Sequence, residues 1–270
     1  MLYFLLFIRD FPNTVLKVIG RIVSMEYKFA GTYSNYADLA SGSVFYSLPG
    51  HPAFPIRLAS EIYQRCLAYR HKGTDPCTLF DPCCGAAYHL SVIAYLHWDS
   101  ISRVICSDID EKAVQLAERN LGLLTPSGME RREREISAMV HLYGKTSHKQ
   151  ALESIRRLME QVVCLTGVRP IQTRVFRANA TDAASLREGL QGAPIDIVFT
   201  DVPYGQHSNW EAIPDSNPVW SMLEALRQIL SLESIVAVAS DKLQKISHDA
   251  YRRLEKIRVG KRQVIILQPV

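Results

Sequence analysis

An α/β fold with a doubly wound, mostly parallel sheet is predicted by three features of the sequence. Five short runs rich in β-branched residues alternate with stretches of helical periodicity, the pattern of strands buried between two helical layers. The last two apolar runs are joined by a short turn at Gly260-Lys261, which predicts an antiparallel C-terminal hairpin. One connection is too long for a simple crossover and is itself helix-forming, so a helical insertion is expected there.

The chain opens "MLYFLLFIRD", apolar only as far as Ile8, before Arg9 and Asp10. That run is too short to span a bilayer and has neither a basic leader nor a small-residue cleavage site. Phe11, Val15, Val18 and Ile22 share one helical face, which suits a docking or membrane-surface helix or a loose extension. The extension is preferred: residues 1–35 are assigned to it, with Met25 the expected start of the functional protein, and 36–270 to one domain. A Pro-rich loop leads into a helix near Pro55, carried by Leu58, Ile62, Arg65 and Tyr69. The expected parallel strands are "CTLF" (77–80), "RVICS" (103–107), "TRVFRA" (173–178), "IDIVFT" (195–200) and "SIVAVAS" (234–240). Val114, Ala117, Leu121 and Leu124 mark a helix after the second run; Val219, Leu223, Leu226 and Leu230 mark one after the fourth. "LEKIRV" and "QVIILQP" form the hairpin. The insertion spans about 125–166, where Leu152, Ile155, Leu158 and Val162 share a face.

With 47% hydrophobic and 21% charged residues, the 270-residue chain has an ordinary globular composition. Its net charge of +4 is unevenly placed: Lys242 to Arg262 carry eight Lys/Arg against Asp249 and Glu255. Such a stripe is the footprint of nucleic-acid binding, or else a solvated helix face and edge hairpin. Arg252 and Arg253 in this stripe, with Arg156 and Arg157 in the insertion, are the candidate RNA contacts. Six cysteines show no CxxC pair and no following His-x-x-x-His, so no zinc site is expected. Free thiols suit a reducing cytoplasm.

The chemistry starts at "FDPCCGAAYHL", residues 80–90. Asp81 ends the first strand and residues 82–87 turn into the next helix, the place where doubly wound sheets bind ligands. Only Gly85 survives of a G-x-G-x-x-G pattern, so pyrophosphate is poorly supported. Asp108, ending the second strand, suits the two hydroxyls of a ribose, and Asn179 or Asp182 after the third suits an adenine. A nucleoside without pyrophosphate points to S-adenosylmethionine. After the fourth strand, "TDVPYG" (200–205) offers an acid, a rigid proline and an aromatic ring, a platform for a planar base.

These motifs resemble the class I, Rossmann-like methyltransferases. "PAFPIRLASEI", "DPCCGAAYHLSVIAYLH", "SDIDEKAVQLAERNLGLL", "YGKTSHKQAL", "DIVFTDVPYGQHSNWE" and "LEKIRVGKR" are closer still to the avilamycin-resistance 23S rRNA guanine methyltransferases. The likeness runs from about Tyr36 onward. It implies methyl transfer from S-adenosylmethionine to ring nitrogen 1 of a guanine in 23S rRNA or the large ribosomal subunit, by a monomer, with resistance to orthosomycins as the consequence. It further implies that Asp81, Cys83, Gly85 and Ala87 flank the methionine end of the cofactor. Asp108 would take the ribose and Asn179 the adenine, while Asp201, Pro203 and Tyr204 form the base pocket. Ala87 replaces a usual second turn glycine, so a methyl group facing the cofactor and a costly positive φ are expected. Asn179 replaces a usual Asp, its amide oxygen still able to accept from the adenine.

Several competing chemistries can be weighed against this one. Carbon-5 pyrimidine methylation needs a cysteine, absent from "DVPYG". Ribose 2′-O-methylation would need a tetrad such as Lys72, Asp201, Lys242 and Glu255. Methylation of the exocyclic amine and a catalytically dead RNA-binding fold stay open at the level of sequence.

Overall fold

The computed structural model describes residues 27–270 apart from 33, 49–51, 71–72, 74 and 203–216. The apolar stripe of residues 11–22, and Pro203 and Tyr204 of the base platform, therefore lie outside the described residues.

Seven strands form one sheet: β1 (Cys77–Asp81), β2 (Ile101–Asp108), β3 (Gln172–Arg177), β4 (Ile197–Asp201), β5 (Ile235–Asp241), β6 (Tyr251–Val259) and β7 (Arg262–Pro269). Their order across the sheet is β3-β2-β1-β4-β5-β7-β6. The first five run parallel, and β7 enters antiparallel between β5 and β6. Every expected strand is present, and the hairpin turns at Gly260, whose φ of 59° a glycine adopts without a Cβ penalty.

Alternate side chains of each strand feed two cores, as period-2 geometry requires. Leu79, Phe199, Ala237 and Val264 face α1 (Ile56–Tyr69), α2 (Tyr88–Leu96) and α3 (Glu111–Gly122). Phe80, Val198, Val236 and Ile265 face α6 (Ala183–Leu190) and α7 (Pro218–Arg227). Helix α6 buries only Leu186 and Leu190, too few for a periodicity that the sequence alone would show. Asp182 caps it by accepting from the Ala184 N–H, which accounts for that acid without a ligand.

The insertion is a hairpin of α4 (Pro126–Tyr143) and α5 (Thr146–Val168), turned at Gly144. It leaves α3 through a corner where a Cβ on Gly128 would lie 1.9 Å from the Gly122 carbonyl oxygen. Only glycine fits such a backbone approach. A third core joins the insertion to the segment before α1: Val44, Phe45 and Tyr46 pack with Tyr88, Met129, Ile136 and Ile155. The contacts of the fold reach back before Tyr36. The buried Glu61 carboxylate accepts the N–H groups of Lys28, Phe29 and Ala30 at 2.7, 2.8 and 2.7 Å. No described helix is long and apolar enough to cross a membrane.

Candidate cofactor turn and base-binding edge

The order in which the chain adds strands reverses between β1 and β4, and Asp81 and Asp201 end these two strands. Their carboxyl ends are where a doubly wound sheet leaves an open crevice. Asp81 is fully buried, and its Oδ1 accepts from the Cys83 N–H at 2.9 Å, closing the turn. Gly85 takes φ 53°, and a Cβ built there would meet nothing within 4 Å, so that side of the turn is open. The Gly85 N–H donates to Asp108 Oδ2 at 2.8 Å, and the Asp110 N–H to Oδ1 at 3.0 Å. Each carboxylate oxygen keeps a lone pair for a further donor. Burial raises the Asp108 pKa, and the two backbone donors oppose that rise.

Two expectations change in detail. Ala87 does take a left-handed φ of 52°, but it is fully buried within the α1–α2–α3 core. Its methyl group therefore faces core side chains, not open space where a ligand would sit. Asn179 Oδ1 already accepts from the Thr181 N–H at 3.0 Å and the Thr181 hydroxyl at 2.9 Å. Both lone pairs of the oxygen reserved for adenine are thus engaged, because Asn at a loop start closes a local turn. Cys83 and Cys84 fit neither metal nor nucleophile chemistry: burial pushes both thiols well up. No metal-holding cluster occurs among the described residues.

For Ala87 two small effects oppose each other. A left-handed alanine costs about 1 kcal/mol, and removing a buried methyl costs about the same. Ala87→Gly is expected to shift the thermal midpoint by no more than a few degrees and to leave cofactor affinity unchanged, as calorimetry of both would show.

At the end of β4, Asp201 Oδ1 and Thr200 Oγ1 are buried without a hydrogen-bond partner. Burial pushes the Asp201 pKa up to about 6, with Arg262 and His89 pulling it back. Arg262 Nη2, from the start of β7, stands 3.8 Å from Asp201 Oδ2 and lies over the Phe54 ring. His89, in the first turn of α2, is buried with Nε2 at 3.2 Å from Asp81 Oδ2 and 3.4 Å from the Phe199 carbonyl. Burial lowers the His89 pKa, but Asp81 and then Asp201 more than reverse that, leaving it raised.

His89 and Arg262 were not singled out by the sequence. A histidine eight residues after the strand-end acid was a usable signal; Arg262 was hidden in a basic stripe. Asn120 of α3 was also missed. Its amide donates to the Ala86 and Tyr46 carbonyls at 2.8 and 3.0 Å and accepts from the Tyr46 N–H at 2.8 Å. It clamps the β1–α2 turn to the segment before α1, and no local pattern marks such a long-range amide.

The candidate RNA contacts divide. Arg156 pairs with Glu133 at 2.8 Å and Arg157 with Asp38 at 2.7 Å, so both brace the insertion. Arg252 and Arg253 are exposed but pair in register with Gln268 and Leu267, near the far end of the hairpin. At 3.3 Å per residue, Arg253 is about 17 Å from the carboxyl edge of the sheet. The 2′-O tetrad does not assemble either. Glu255 is bound by Arg65 and Tyr69, three strands and about 14 Å from Asp201, while Lys72 lies outside the described residues.

A family model described as the rRNA methyltransferase AviRa matches residues 25–262. The chain belongs to the AviRa rRNA methyltransferase family. Among its relatives is a 23S rRNA (guanine(2535)-N(1))-methyltransferase from Streptomyces viridochromogenes, 39% identical over 242 residues, covering 90% of this chain and 95% of the relative. A solved structure of rRNA methyltransferase AviRa from that organism superposes with a TM-score of 0.80 at 37% identity, covering 90% of this chain and 96% of that one. A second structure of it gives the same TM-score at 38% identity. An AviRa-family fold accounts for the strand order, the C-terminal hairpin and the helical insertion together.

Proposed function

We propose that this chain methylates ring nitrogen 1 of a guanine in 23S rRNA, using S-adenosylmethionine. The observation that carries this reading is the Asp201 carboxylate, whose Oδ1 is buried without a hydrogen bond while Oδ2 faces Arg262, two strands from the Asp108–Gly85 cradle, in a chain of the AviRa family. An rRNA substrate places the reaction in the cytoplasm, and protection against orthosomycins is its proposed consequence.

The cradle fits S-adenosylmethionine. Asp108 retains acceptor capacity for a ribose diol, and the open side of Gly85 lets a ligand approach backbone. Adenine recognition rests less on the Asn179 oxygen, which Thr181 occupies. When bound, the cofactor supplies an electrophilic methyl group on a sulfonium. The chain's own work is to place the guanine and take its proton. Asp201 accepts the proton of the ring N–H as the new nitrogen–carbon bond forms. A carboxylate with its pKa near 6 is a stronger base than an ordinary one, yet ionised at neutral pH. Arg262 and His89 keep it charged, and Thr200 and Asp201 together leave two buried polar atoms for a polar base edge. Tyr204 is proposed to stack on the base, and Pro203 to hold its amino group through the carbonyl.

The sign of the pH dependence follows. Protonating Asp201 removes the base, so methyl transfer at saturating cofactor is expected to fall about tenfold per unit below pH 6. A rate flat between pH 5 and 8 would contradict the role given to Asp201. The reading as a whole is tested by incubating the chain with methyl-labelled cofactor and a 23S rRNA transcript. Label must pass to the RNA; cofactor binding without transfer would favour a catalytically dead fold.

A further inference from the structure

The four candidate arginines are either braced by acids or far from the carboxyl edge. The basic residues that do lie at that edge are others in the same stripe. Strand β6 runs parallel to β5, so the β6–β7 turn stands at the same end of the sheet as Asp81, Asp108 and Asp201. Asp241, last in β5, pairs in register with Arg262, the residue that reaches Asp201. The Lys242 N–H donates to the Lys261 carbonyl at 2.9 Å, which joins the loop after β5 and the β6–β7 turn into one surface.

We infer that Lys242, Lys245 and Lys261, with the exposed Leu243 among them, form the surface that holds the RNA backbone beside the target guanine. This rests on the reading of the chain as an rRNA methyltransferase. All three lysines are exposed, and no carboxylate pairs with any of them among the described residues. Leu243 is 86% exposed, yet its backbone is held: its N–H donates to Asp241 Oδ1 at 2.9 Å. The buried Gln263 side chain fixes the same loop by donating to the Asp241 carbonyl at 3.1 Å and to the Gln244 carbonyl. A rigid loop presenting an apolar side chain between cations suits a polyanion whose sugars and bases have apolar faces. Protection of a sheet edge would not call for this arrangement, because Lys242, Leu243 and Lys245 lie in a loop and not on the edge strand. An anionic membrane would satisfy the same charges, but the surface adjoins the crevice at Asp201, where the RNA base must enter.

The test is equilibrium binding of the full chain to a 23S rRNA transcript across a range of salt, comparing wild type, K242A/K261A and R252A/R253A. S-adenosylmethionine binding serves as the control for folding. Losing two phosphate contacts should reduce the slope of log affinity against log salt by about 1.4 for single-stranded RNA. K242A/K261A is expected to show that loss, and R252A/R253A the wild-type slope, with cofactor affinity unchanged in both. A wild-type slope in K242A/K261A, or the loss appearing in R252A/R253A instead, overturns the inference. So does a K242A/K261A defect confined to binding of phosphatidylserine-containing vesicles. Wild-type chain that neither binds nor methylates the transcript would overturn the rRNA reading itself; methylation by wild type with unaltered variants overturns only the surface.

Discussion

Asp201→Asn is expected to cut methyl transfer severely while making the fold more resistant to heat. A lost general base reduces rate by about a hundredfold or more. The gain in stability comes from the same burial that tunes the carboxylate. Its pKa rises from 3.8 to about 6 on folding, so the charged form is disfavoured in the native state. Above pH 6 the full penalty applies, up to about 3 kcal/mol; below the unfolded value near 3.8 it vanishes. The neutral amide escapes that penalty, so the variant should melt several degrees higher at pH 7.5, with the difference shrinking as pH falls from 6 to 4. Arg262, which loses a partner, offsets part of the gain. A variant that melts lower at pH 7.5 would make Asp201 a structural charge and not a functional one.

Asp108→Ala is expected to cost at least a hundredfold in cofactor affinity, measured by titration calorimetry. The carboxylate holds the Gly85 N–H at 2.8 Å and offers its remaining lone pairs to a ribose. Charge-assisted hydrogen bonds contribute about 1.5–3 kcal/mol each, so two of them lost to the ligand suffice for that factor. The Gly85 N–H is also left without its acceptor, which loosens the turn. Unchanged affinity would mean the nucleoside is held elsewhere.

The strands were legible because β-branched runs such as "IDIVFT" and "SIVAVAS" are buried on both faces, a pattern that survives without knowledge of neighbours. Asp81 ends β1 as its sequence suggested, whereas the fourth and fifth strands each run one residue further, because Asp201 and Asp241 continue the ladder while reading as loop. The turn after β1 was legible for a related reason: Asp81 and Asp108 hold it through the Cys83 and Gly85 N–H groups at strand ends. What the sequence concealed depends on partners distant along the chain. Asn120 bonds a residue 74 positions away, and Asp38 claims Arg157 across 119. Arg252 and Lys261 look alike in a basic stripe, and only the register of β6 on β7 separates the far end from the carboxyl edge. Likewise, an alanine at positive φ was foreseeable, but whether its methyl met ligand or core was decided by α1 and α3 packing over it.

The most direct measurement of the central claim is mass spectrometry of nucleosides from 23S rRNA methylated by this chain. The account predicts one methylguanosine with the methyl on the base at ring nitrogen 1, formed more slowly by about a hundredfold or more with Asp201→Asn. A methyl group on ribose, or on the exocyclic amine, or an undiminished product from Asp201→Asn would contradict it.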